Sequence, residues 1–130
     1  MLDHMGFPAV DYEKSKAFYD KALAPLDVKV VMSVSAEETG GDAFAGYGSD
    51  GKPDFWVSTG RPAGEVMHFH VAFVAKDRAT VDAFYAAAMA AGGRDNGGPG
   101  LRPHYHPNYY AAFVLDPDGN NIEAVCHKPE

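Results

Sequence analysis

The sequence has a single cysteine, Cys126, in 130 residues. One thiol excludes an internal disulfide framework and fits a reducing compartment such as the cytoplasm. Positive charge is also scarce: 11 Lys and Arg face 18 Asp and Glu, a formal charge of −7. No Lys or Arg cluster offers the basic patch that a nucleic acid requires, so no nucleic-acid partner is expected. No apolar run approaches the ~20 residues needed to cross a bilayer, so no membrane association is expected either. Met1-Leu2-Asp3-His4 has neither a basic nor a long apolar stretch, which predicts no signal peptide. Gly97-Gly98-Pro99-Gly100 follows no strand and opens no helix, so it reads as a turn and not a phosphate-binding loop.

What the sequence does have is core material. Hydrophobic residues make up 46% and charged residues 22%, the proportions of a globular chain. The length suits one compact domain over residues 1–130. Displacing the chain by 66 residues lays residues 1–23 over 67–89 with nine identities: Met1, His4, Phe7, Ala9, Asp11, Ala17, Phe18, Tyr19 and Ala22. The repeat predicts two related modules, the first over about residues 1–62 and the second over about 63–130.

Each module opens on a partly alternating apolar stretch, 2–9 and 67–75, which reads as a strand. Asp11 and Asp77 then stand where a helix N-cap belongs, because a carboxylate can accept the free amides of the first turn. Val81, Phe84, Tyr85, Ala88 and Met89 form an apolar stripe that Gly92-Gly93 ends; Ala17, Phe18, Tyr19 and Ala22 form its counterpart, which Pro25 stops. Further strands are predicted at 28–34, 42–47 and 54–58, then near 94 and at 110–115 and 121–127. Asp116-Pro117-Asp118-Gly119 is a strong hairpin turn and Ser49-Asp50-Gly51-Lys52 its weaker echo. The predicted fold is therefore α+β, two βαβββ modules with curled mixed sheets around a central cavity.

Strand alternation assigns faces. Phe69, Val71 and Phe73 belong with the helix stripe, so His68 and His70 point the other way. The repeat places His4 on the equivalent face of the first strand. On the last strand Ile122 and Ala124 suit the core, which turns Glu123 away from the helices. A single histidine on a strand is more often exposed or hydrogen-bonded than a ligand. A repeat-related pair with a glutamate on the matching face is a different case. Two imidazoles and one carboxylate suit a divalent transition metal such as Fe, Mn, Zn, Ni or Co, and leave positions open for substrate. The expectation is that His4, His70 and Glu123 converge on one metal, with Glu123 also catalytic. His68 is the alternative to His70, as ligand or base.

The long loop 95–108 and the strand after it carry Arg102, His104, Tyr105, His106, Asn108, Tyr109 and Tyr110. Loops of this length in small domains are often functional. Arg102, His104 and Tyr110 are read as substrate-binding, and Phe55, Trp56 and Val57 as an apolar wall in which Phe55 and Val57 face the substrate. Cys126 is expected to face the core.

Asp3-His4, His70-Val-Ala-Phe73 and Phe113-Val-Leu-Asp-Pro-Asp-Gly-Asn-Asn-Ile-Glu123 together resemble the vicinal oxygen chelate superfamily of glyoxalase I, fosfomycin-resistance, bleomycin-resistance and extradiol-dioxygenase proteins. The resemblance covers nearly the whole chain. It implies paired βαβββ modules around a metal site, commonly in a homodimer, with His4, His70 and Glu123 matching the family's recurring ligands. Glyoxalase I has a fourth ligand, a glutamate on the last strand of its first module; here Phe55 is aligned with that place and no glutamate is available. The function implied is that of a metal-dependent enzyme chelating vicinal oxygens of a small-molecule substrate, of lyase, isomerase or dioxygenase type. The alternative is a metal-free binding protein of the bleomycin-resistance kind.

Overall fold

The computed structural model of the chain describes residues 1–65 and 67–130. The first module runs β1 (Met5–Pro8), α1 (Tyr12–Ala22), β2 (Lys29–Val34), the short α2 (Ala36–Thr39), β3 (Phe44–Gly48) and β4 (Phe55–Ser58). The second runs β5 (His70–Val74), α3 (Arg78–Ala90), β6 (Arg94–Asp95), β7 (Gly100–Leu101), β8 (Tyr110–Leu115) and β9 (Asn121–Cys126). The fold is α+β with two mixed sheets. Their strand orders are β1-β4-β3-β2 and β5-β9-β8-β6, with β7 also pairing with β8.

The two modules use one design. In each the first strand is parallel to the last: Met5 pairs with Phe55, and His70 with Asn121. In each the helix is capped as the sequence predicts, the Asp11 carboxylate accepting from Lys14 N and the Asp77 carboxylate from Thr80 N. Two expectations need correction. The opening strands are shorter than predicted, beginning at Met5 and His70, because cross-strand pairing starts only there. The strand predicted near 94 is the two-residue β6, and a further short strand, β7, lies within the segment predicted as the 95–108 loop; both are antiparallel to β8. Gly97 between them has φ 139°, a backbone region that favours glycine, and Pro99 has no amide to donate to a ladder. Their counterpart in module one, β2, is one strand on the outer side of β3, with a register shift between Val30 and Met32. The turn at Gly51 (φ 79°) is the expected echo of that at Gly119 (φ 85°).

The core lies between the sheets and the helices. Phe18, Tyr19 and Ala22 of α1 and Val81, Phe84 and Ala88 of α3 are fully or almost fully buried. Ala17, assigned to the first stripe, is exposed, and Ser15 takes its place in the core. Phe55 and Val57 are buried too, with Phe55 edge-on to Phe7, Tyr19 and Phe73. Burying such side chains contributes ~1.5–3 kcal/mol each. Gly93 shows how tight the packing is. A Cβ there would stand 2.4 Å from Val114 Cγ1 and 2.8 Å from the Ala88 carbonyl oxygen. Gly93→Ala is therefore expected to destabilise the chain by ~1–3 kcal/mol through overpacking, read as a lower urea midpoint at unchanged m-value.

The Asp116–Asn120 turn does more than close a hairpin. The buried Asp116 carboxylate accepts from Tyr19 Oη of the first module at 2.5 Å and from the amides of Asp118 and Asn120 at 2.9 Å. Asn120 Nδ2 donates to the same carboxylate at 2.9 Å, and Asn120 Oδ1 accepts from Phe69 N (2.9 Å) and Arg61 (3.3 Å). Asp118 accepts from Val10 N at 3.1 Å. One turn thus ties α1, the end of β1, the intermodule segment and the approach to β5 together.

Candidate metal centre

His70 is the first residue of β5, and Glu123 lies one strand over on β9, where Ala72 pairs with it. Alternation turns both away from the helices, as expected. The His70 Nδ1–H donates to the Asn121 carbonyl at 2.9 Å. In the neutral ring this leaves the lone pair on Nε2, which stands 3.1 Å from Glu123 Oε1. Two acceptors that close repel unless a proton or a cation lies between them. Glu123 is 2% exposed. Its other oxygen, Oε2, accepts from the Tyr109 hydroxyl. Burial first, and then this hydrogen bond, push the Tyr109 phenol up to about 12, so it remains a donor at neutral pH.

Tyr109 is held in turn by rings. Tyr105, His106 and His127 all pack edge-on against it, and His106 and His127 are hydrogen-bonded to each other. His127 continues the face of β9 that carries Glu123, so the 95–108 loop folds down onto that face and buries the carboxylate.

His4 lies apart. It sits just before β1 and lines a concavity of about 640 Å³ on the far face of the first sheet, together with Gly6, Pro8, Met32, Phe44, Trp56 and Ser58. Its Nδ1–H donates to Asp3 at 2.7 Å, which again leaves Nε2 free. Among the described residues no group of three His, Cys, Asp or Glu side chains stands close enough to hold one metal ion. Within the single chain, His4, His70 and Glu123 are therefore not brought to one point. His4 precedes the first strand of one sheet, whereas His70 and Glu123 lie on neighbouring strands of the other.

The remaining predicted positions divide. Arg102 sits in a smaller hollow of about 300 Å³ with His104, Tyr105 and Phe113. Its guanidinium lies over the Phe113 ring and donates to the carbonyls of Gly98 and Gly100 at 2.8 and 2.9 Å. His104 is exposed and packs at a tilt against Tyr105. Tyr110 does not face the site. Its hydroxyl donates to Asp82 of α3 at 2.6 Å, because Tyr110 shares the core-side face of β8 with Ala112 and Val114. Phe55 and Val57 are likewise core residues and not cavity walls. The register sets Gly6 against Trp56 as it sets Ala72 against Glu123. Trp56 is therefore the counterpart of Glu123, one residue along from the predicted Phe55, and Trp56 and Ser58 line the cavity. His68 leans over the hairpin turn, its Nε2 3.2 Å from where a Cβ on Gly119 would lie, so its neighbour is that turn. Cys126 is buried and free.

Tyr109 went unselected in the sequence. Its distance of 14 residues from Glu123 carries no periodic signal, and only the pairing of β8 with β9 brings the two together.

A family model described as Glyoxalase/Bleomycin resistance protein/Dioxygenase superfamily matches residues 1–124. No curated protein matches the chain. Among solved structures, a glyoxalase/bleomycin resistance protein from Albidiferax ferrireducens T118 is 29% identical with a TM-score of 0.72, the match covering 98% of this chain and 99% of that one. A glyoxalase I mutant from Zea mays is 22% identical, TM-score 0.74, over 95% of this chain and 46% of the maize chain. A mutant of the fosfomycin resistance protein FosX from Listeria monocytogenes, solved with Mn(II) and 1S,2S-dihydroxypropylphosphonic acid, is 16% identical, TM-score 0.68, over 98% and 93%. The last two likenesses are of fold. The chain belongs to the glyoxalase/bleomycin resistance protein/dioxygenase superfamily.

Proposed function

We propose that this protein is a metal-dependent enzyme acting on a small molecule with vicinal oxygens, and that its metal is held by His70 and Glu123 of one chain and His4 of a second copy in a homodimer. The observation that carries the reading is His70 Nε2 standing 3.1 Å from Glu123 Oε1, each side chain fixed by a hydrogen bond at its other end. Metal-bound histidines commonly donate their second N–H to a carbonyl or carboxylate, and His70 and His4 both do so. The donor set, imidazole nitrogen with carboxylate oxygen, fits Fe, Mn, Zn, Ni or Co. A divalent ion there would supply Lewis-acid polarisation of the substrate oxygens.

The chain's own residues supply the rest. Glu123 contributes the negative charge and lies where it can take up or return a substrate proton. Tyr109 keeps its hydroxyl on Oε2, so Oε1 alone is presented beside His70. The aromatic loop around Tyr109 excludes water from the carboxylate. Trp56 stands where glyoxalase I carries its fourth ligand, which favours a three-ligand centre over strict glyoxalase I chemistry. Lyase, isomerase and dioxygenase reactions all fit that centre. The homodimer is favoured because His4 lies beside one sheet and His70 with Glu123 on the other, and because Val74, on the second sheet, is 78% exposed.

Calorimetric titration of metal-free protein with Mn(II) tests the reading. Saturable binding that Glu123→Gln abolishes is expected; equal binding by parent and variant overturns it. Tyr109→Phe is expected to weaken Mn(II) binding by ~10–100-fold while leaving the thermal midpoint of the metal-free protein near that of the parent, the usual cost of losing a ligand's outer partner.

A further inference from the structure

We infer that His106 and His127 form a proton-sensitive lock that positions Tyr109, closed at neutral pH and opened by acid, and that its state sets whether Glu123 Oε2 is held. The inference rests on the reading of Glu123 as the carboxylate of the site, and it names a means by which that site is regulated.

The lock joins the 95–108 loop to the end of β9. Tyr110 pairs with Cys126 at the end of the ladder, so Tyr109 and His127 lie opposite each other just beyond it. His106 shapes the turn that delivers Tyr109. Its carbonyl accepts from the Tyr109 amide at 3.1 Å, and its ring Nδ1 accepts from the Asn108 amide at 3.1 Å. An amide can only donate, so Nδ1 keeps its lone pair and the neutral ring carries its hydrogen on Nε2. That N–H donates to His127 Nδ1 at 2.5 Å, and His127 then carries its own hydrogen on Nε2. The two ring planes are within 20° of each other, and both rings meet the Tyr109 ring edge-on.

Both ring lone pairs are thereby used, and the closed pair has no place for a further proton. Histidine is the side chain that gains a proton between about pH 8 and about pH 5. A proton on His127 Nδ1 sets two N–H groups against each other; a proton on His106 Nδ1 sets one against the Asn108 amide. Either breaks a bond that holds the turn. The open pair binds more protons than the closed one, so the closed state is favoured as pH rises and lost as it falls. His127 is exposed, so water delivers the proton. The titratable and charged groups around the pair are Tyr105 and Tyr109, His104 packed on Tyr105, Arg102, Lys128 next in the chain, and Glu123 beyond the Tyr109 hydroxyl. Among the described residues the histidines paired with a carboxylate are His4 and His70, so no carboxylate steadies an imidazolium at 106 or 127. Once the rings part, Tyr109 keeps only Tyr105 edge-on against it, and its hydroxyl is free to leave Glu123.

The test follows metal-free protein with carbon-13 in tyrosine and nitrogen-15 in histidine by NMR. The Tyr109 Cζ signal, which responds to what the hydroxyl bonds, is identified by its loss in Tyr109→Phe. In the parent at about pH 8 both His106 and His127 are expected as Nε2–H tautomers. On acidification to about pH 5 the Cζ signal is expected to move to the position of a water-exposed tyrosine, with the same midpoint as the His127 ring nitrogens. His127→Ala, at an exposed position, is expected to show that acid position already at about pH 8. The double variant His106→Gln, His127→Asn puts an amide N–H near the place of His106 Nε2 and an amide oxygen near that of His127 Nδ1, and neither titrates. It is expected to keep the neutral Cζ position down to about pH 5. A parent signal that stays in place overturns the inference. So does a His127→Ala signal that matches the parent at about pH 8. A shift of equal size in the double variant also overturns it, by assigning the response to His70 or Glu123. No metal is present, so failure here leaves the Mn(II) titration untouched, and failure of that titration leaves the lock standing.

Discussion

Chains carrying His4→Ala and chains carrying Glu123→Gln are each expected to lose more than ~100-fold in Mn(II) affinity, and co-folding the two is expected to restore binding to about one site in four. The loss follows from removing a ligand outright, since removing only an outer partner already costs ~10–100-fold. The recovery follows from two-fold symmetry. If His4 of one chain completes the site of its partner, a mixed dimer has one centre with all its ligands and one lacking two. Random pairing makes about half of the dimers mixed, so about a quarter of all centres are intact. Equilibrium dialysis against Mn(II) reads the stoichiometry directly. A site built within one chain gives no recovery at any mixing ratio, and that outcome would sink the two-chain arrangement. Glu123→Gln keeps the side-chain shape, so its loss of binding reports charge and ligation. The hydroxyl of Tyr109 can still donate to the amide oxygen.

Asp116→Ala is expected to cost ~3–5 kcal/mol, a large share of the 5–15 kcal/mol that holds a typical domain folded. Four donors converge on this carboxylate: Tyr19 Oη, the amides of Asp118 and Asn120, and Asn120 Nδ2. Asp116 is 1% exposed and Tyr19 and Asn120 are fully buried. Donors left in such surroundings find little water, and each unsatisfied one costs ~1–3 kcal/mol. Because Tyr19 belongs to α1 and the turn to module two, the loss also loosens the docking of the modules. Tyr19→Phe removes one donor while Asp116 Oδ2 keeps that of Asn120 Nδ2, and is expected to cost only about 1–2 kcal/mol. Urea unfolding of the two variants checks the ratio. An Asp116→Ala chain within ~1 kcal/mol of the parent would show that the turn merely closes the hairpin.

The modules were legible in the sequence because folding rules act locally. Asp11 and Asp77 cap helices through amides three residues on, and the repeat of His4 and Phe7 in His70 and Phe73 fixes which face each strand turns inward. The same alternation assigned His70 and Glu123 to one face, and the fold set them 3.1 Å apart. Local periodicity could not supply register across strands. A shift of one residue exchanges the two faces of a strand, so the lining position assigned to Phe55 belongs to Trp56, and Phe55 and Val57 went to the core. Tyr110 was misassigned for the same reason: its neighbour Tyr109 reaches Glu123 while Tyr110 reaches Asp82.

Composition, the repeat and the hairpin motif by themselves determined the α+β class, the paired modules and the residue types fit for a metal. Only the tertiary structure decided that His4 stands apart from His70 and Glu123, that Tyr109 holds the carboxylate, and that Trp56 and not Phe55 lines the concavity. Each of these depends on contacts between residues far apart in the chain. Such contacts are set by how sheets pair and pack, and a periodicity of two or 3.6 residues carries no record of them.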